Sequence, residues 1–77
     1  MTFKPLDVVV LQHDLPPHDL KRGDLGAVVE VYGPDDLEVE FVTASGETEA
    51  LITIKAADVR AIARNDMIAV RSLSGAA

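Results

Sequence analysis

The 77 residues carry a net charge of −6, with 13 acidic side chains against 7 Lys and Arg, and no cysteine. That length is near the lower limit for a fold held by one hydrophobic core, and without thiols neither disulfides nor thiolate zinc sites can staple it. A ligand pocket of the usual size would consume most of such a core, and the acidic balance opposes binding to a phosphate backbone.

The first apolar run, Leu6 to Leu11, is rich in Val and reads as a strand. His13 to Arg22 is polar with Pro16 and Pro17 adjacent, which excludes a helix or a central strand. This loop repeats His-Asp-Leu on both sides of the prolines. Two imidazoles and two carboxylates are ligand types for a divalent metal, but the spacing fits no standard site, and a solvated loop without metal is expected.

Arg22-Gly23-Asp24 follows. An adhesion-ligand role needs an extracellular protein, and no export signal is evident. The tripeptide reads instead as a turn in which Gly23 supplies a positive φ. Lys21 and Arg22, next to a glycine-bearing strand, are the candidates for a nucleic-acid contact of the KOW type. Such a surface needs more cations and aromatic platforms than stand nearby.

Leu25 to Tyr32 is the second strand, with Leu25, Ala27, Val29 and Val31 expected inward and Glu30 outward. Gly33-Pro34-Asp35-Asp36 ends it. Leu37-Glu38-Val39-Glu40-Phe41 alternates strictly, the mark of a strand with one buried face. Ser45-Gly46 suits a two-residue hairpin turn, and Thr48 to Ile54 returns. A centre between Ser45 and Gly46 pairs Phe41 with Ala50, Val39 with Ile52 and Leu37 with Ile54, all on one face.

Lys55-Ala56-Ala57-Asp58 reads as one helical turn and Val59 to Ala63 as a short closing strand. Five short strands with one helical turn near Ala56 to Asp58 predict an all-β, SH3-like barrel over residues 1–63. Residues 64–77 form an extension, flexible in part or ordered by a partner. Residues 64–71 are also the segment through which a homo-oligomer would pair, and Ser72 to Ala77 is expected to fray.

Leu6-Asp7 with Val9 and Leu11, Asp14-Leu15-Pro16, Leu20-Lys21 with Gly23-Asp24 and Gly26, and Val28-Val29-Glu30-Val31 together resemble a family of short bacterial proteins known as a domain of unknown function. Val39-Glu40-Phe41, the Gly46-Glu47-Thr48 turn and Asp58-Val59-Arg60 continue the likeness, which covers roughly residues 4 to 62. The resemblance implies an SH3-like barrel in a bacterial, non-secreted setting, and no catalytic residues come with it. Small acidic members of such families serve as antidotes or accessory proteins beside a partner, an analogy at fold level.

No nucleophile stands in a recognisable context with His13 or His18, so an enzyme is not expected, and no cofactor is implied. If Leu37, Val39 and Phe41 point inward, Glu38 and Glu40 point out, and pairing Val31 with Leu37 sets Glu30 opposite Glu38. This acidic strand face, with Tyr32 and Val42 as apolar contacts at its edge, is the candidate site for a basic protein partner. Without a signal peptide or membrane-length apolar run, a cytoplasmic location is expected, with no membrane partner.

Overall fold

A computed structural model describes residues 2–73. They form five strands, β1 (Val8–Leu11), β2 (Leu25–Val31), β3 (Asp36–Val42), β4 (Thr48–Lys55) and β5 (Val59–Ala61), with 3-10 turns at Pro16–His18 and Ala56–Asp58. All pair antiparallel in one sheet of order β4-β3-β2-β1-β5. The sheet is open, with β4 and β5 as its edges. Among the described residues no helix is long and apolar enough to cross a membrane.

One face of the sheet carries the core: Val9 and Leu11 from β1, Val28 from β2, Leu37, Val39 and Phe41 from β3, Ala50 and Ile54 from β4, and Val59 from β5. Phe3 and Leu20 close it from outside the strands. Both phenylalanines are therefore core residues, adding to the aliphatic set that composition suggests. The described residues bury no polar or charged residue, so the side chains of the interior contribute through apolar burial, at roughly 25 cal/mol per Å².

The β3–β4 register is the one that alternation requires, with Leu37 opposite Ile54, Val39 opposite Ile52 and Phe41 opposite Ala50. The turn differs from expectation. Thr43 N–H donates to Glu47 O and Gly46, at φ +89°, donates to Thr43 O, which makes a three-residue loop. Val42 then faces Thr48, and the extra residue Glu49 bulges out of β4 to restore Phe41 opposite Ala50. The longer loop and the bulge cancel.

β2 requires a correction. A register shift between Val28 and Glu30 places a bulge at Val29. Gly26 and Val28 are buried, Leu25 and Ala27 lie on the other face, and Val29 is 42 % exposed. Beyond the bulge Val31 packs against the core and pairs with Leu37 as expected. An extra residue turns the strand over, because side chains alternate with a period of two.

β5 stops at Ala61 rather than Ala63, and residues 62–73 form no strand. They turn instead at Asp66, whose carboxylate accepts from Ala63 N–H at 2.7 Å and takes both terminal nitrogens of Arg60 at 2.8 and 3.0 Å. Of the end expected to fray, residues 74–77 lie outside the described ones.

Candidate functional site

The outer face of the sheet is built by the register. On β3, Asp36, Glu38, Glu40 and Val42 alternate with the buried residues and project away from the core. Glu30 faces Glu38 across β2, as the pattern predicts. Like charges directly opposite one another cost a few tenths of a kcal/mol. Tyr32, two residues beyond Glu30, is 54 % exposed beside this pair. Its hydroxyl is held above the ordinary phenol range by partial desolvation and by the negative charges of Glu38 and Glu30.

Compensation falls at the end of the face. Lys55 Nζ reaches Asp36 Oδ1 at 2.6 Å, and Thr48 Oγ1 donates to Glu40 Oε2 at 2.5 Å. Among the described residues the ion pairs use Asp24, Asp36, Asp58 and Asp66, and none uses Glu30, Glu38 or Glu40. Val42, 55 % exposed, stands four residues from Glu38, roughly 13 Å at about 3.3 Å per residue. Glu30, Glu38 and Tyr32 are thus brought together, while Val42 marks the far end beyond Glu40.

Sequence reasoning passed over Leu51. It faces Glu40 across the sheet and is 52 % exposed. The signal was present, since putting Ala50, Ile52 and Ile54 inward sends Leu51 out. On the other side Ala27 faces Glu40 and Val8 faces Ala27, so an apolar band flanks the carboxylate.

Lys21 and Arg22 lie elsewhere, in the loop between β1 and β2. Their backbone N–H groups donate to the Asp24 and Asp14 carboxylates at 2.8 and 2.9 Å. Gly23 has φ +96°, as the turn reading requires. The two cations are exposed among carboxylates, and of the nearest aromatics Phe41 is buried.

His13 leaves the loop to reach Asp58 Oδ1 at 2.8 Å, and that hydrogen bond raises its imidazole above the ordinary value. Among the described residues no three His or acidic side chains are placed to hold a metal ion.

The feature furthest from the sequence reading is Arg71. Its guanidinium grips Asp24 through Nε at 2.8 Å and Nη2 at 2.5 Å, and Nη2 also donates to the Asp19 carbonyl at 2.8 Å. The Asp24 carboxyl is shifted below the usual range: burial opposes the shift, and the Arg71 and Lys21 N–H hydrogen bonds outweigh it. A pairing across 47 residues leaves no mark in local sequence. Between residues 69–73 and the sheet runs an open cleft of about 440 Å³, bordered by Leu20, Leu25, Phe41, Val42 and Glu49.

Residues 6–61, more than half of the chain, match the family model described as "Domain of unknown function (DUF4926)". No curated protein and no solved structure matches the chain.

Proposed function

The chain belongs to this family, and we propose that it is a non-enzymatic protein-binding module whose acidic sheet face docks a basic partner protein. The observation that carries this reading is the facing pair Glu30–Glu38, the first exposed and the second half-buried beside Tyr32, continued by half-buried Glu40, with no cation drawn to any of the three among the described residues. Opposed carboxylates that cost folding stability repel each other less when a cationic surface covers them, so docking recovers what folding loses. Leu51 and Ala27 beside Glu40, with Tyr32 and Val42 at the ends, supply apolar contact within a charged rim.

The fold is read as an SH3-like barrel. Residues of both edge strands, Ala50 and Ile54 on one side and Val59 on the other, join a single core cluster, and a 3-10 turn leads directly into β5. The setting is a bacterial cytoplasm, and the most concrete role is an antidote or accessory protein for a basic partner. Contact with nucleic acid through Lys21 and Arg22 is the weaker reading, because Asp14, Asp19 and Asp24 crowd that loop.

The test is charge reversal. Glu38→Lys with Glu40→Lys abolishes capture of the basic partner in pull-downs while the far-ultraviolet circular dichroism of the domain is unchanged. Undiminished capture by the folded double variant refutes the reading.

A further inference from the structure

We propose that the cleft beside Asp24 is a docking site for an extended arginine-bearing peptide segment of a basic partner, and that the chain's own residues 69–73 occupy its rim as a resident competitor. The recognition elements are on the page. The Asp24 carboxylate receives a guanidinium edge-on through two nitrogens, and the Asp19 carbonyl takes a second bond from one of them. Such forked pairing reads Arg in preference to Lys, whose ammonium cannot span both oxygens.

Beyond the guanidinium the cleft is mainly apolar, bordered by Leu20, Leu25, Phe41 and Val42, with Thr43 and Glu49 as its polar border. Arg71 and Leu73 are partly buried while Val70 and Ser72 are exposed. Their alternation is that of an extended strand laid along a surface, and it defines the occupant as Arg-x-aliphatic.

The occupant is exchangeable by construction. Past Ile62, whose N–H still donates to Val8 O of β1 at 3.2 Å, residues 63–73 form no strand and supply no member of the buried core. Met67 and Val70, at 93 % and 96 % exposed, point apolar side chains into solvent. The Asp24 hydrogen bond first, and then the negative charges of Asp24, Asp19 and Asp14, favour the charged form of Arg71, with Lys21 and Arg22 in the same loop. A tethered segment of this kind presents itself at an effective concentration on the order of millimolar, so a partner segment must outcompete it.

The inference rests on the proposed basic partner only for the source of the segment. Its test uses a fluorescein-labelled peptide with the sequence of residues 67–73, so failure here is distinguishable from failure of acidic-face docking. Full-length Arg71→Ala, whose own tail is unlatched, binds the peptide by fluorescence anisotropy. The wild-type chain binds it about tenfold or more weakly, because its tail competes. Replacing Arg by Ala in the peptide, or adding Asp24→Asn to the Arg71→Ala chain, removes the binding.

Circular dichroism establishes that each variant is folded, and Arg71→Lys is the second variant, expected to bind the peptide better than wild type while retaining the tail's charge. Folded Arg71→Ala and Arg71→Lys chains that bind no peptide overturn the proposal. A wild-type dimer in sedimentation that Arg71→Ala converts to monomer also overturns it, by assigning the site to a second copy's tail.

Discussion

Replacing Gly26 by Ala tests how tightly β2 lies on the core. A Cβ at this position stands 2.5 Å from Cγ1 of Val39 and 2.9 Å from Cε1 of Phe41. Carbon atoms pack comfortably at about 3.5–4.0 Å, so the approach is short by roughly 1 Å at the first contact. Neither neighbour has an escape, since Val39 is fully buried and Phe41 nearly so, both beneath the same sheet. Adding a methyl group to a filled core costs about 1–3 kcal/mol, and the smaller entropy of an unfolded alanine returns about 0.4–1 kcal/mol. The difference spans about 0–2.6 kcal/mol, and the 2.5 Å approach to fully buried Val39 puts the net loss in its upper part, about 1–2 kcal/mol. At about 4–8 °C per kcal/mol for a domain of this size, the Tm falls by roughly 4–16 °C. Thermal unfolding followed by circular dichroism reads it. A variant melting at or above the wild-type temperature refutes the packing argument. Gly23→Ala is the control, because nothing lies within 4 Å of its Cβ and only its φ of +96° resists the side chain. Its expected loss is about 1 kcal/mol, from backbone conformation alone.

The His13–Asp58 pair gives a pH dependence of definite sign. Because the folded imidazole is raised above 6.5, its contribution to stability is fully present below that value and fades as pH rises through the folded pKa. An NMR titration of the His13 ring protons gives a midpoint above 6.5 that Asp58→Asn returns toward the ordinary value; a midpoint unmoved by that substitution refutes the assignment. Leu6→Gly is expected to stabilise the domain despite removing a large side chain. Leu6 sits at φ 77° in the Lys4–Asp7 turn and is 87 % exposed, so relief of an unfavourable backbone conformation, about 1–2 kcal/mol, exceeds glycine's added chain entropy of about 0.4–1 kcal/mol. A lower melting temperature than wild type contradicts this.

Elements whose shape follows from local pattern were legible in the sequence. β3 alternates strictly, and a one-residue slip would turn Leu37, Val39 and Phe41 to solvent, so this pattern and a turn centred between Ser45 and Gly46 point to the same β3–β4 register. The same alternation carried Glu30 opposite Glu38. It failed at Val29, because Val28-Val29 is apolar on both sides of the strand and offers no polar residue to mark where the bulge falls. Exposed Val29 looks like core in one dimension. Arg71 was invisible for a different reason: an ion pair between distant segments depends on where the chain returns, which composition and periodicity do not encode. Leu51 is readable from the register, which sets it opposite Glu40 on the outer face once Ala50, Ile52 and Ile54 point inward.

The strand order has a consequence for synthesis. β1 pairs on one side with β2, but its other side waits for Val59–Ala61, the last strand of the sheet. While the chain is made, Val8-Val9-Val10-Leu11 therefore waits as an open edge of consecutive apolar, β-favouring residues until Val59–Ala61 has been added. A nascent chain arrested before residue 59 displays the segment most able to pair with its own copies. At about 5–20 residues per second that window lasts only seconds, and its length, rather than the stability of the finished sheet, sets how much of the newly made protein is at risk of aggregating.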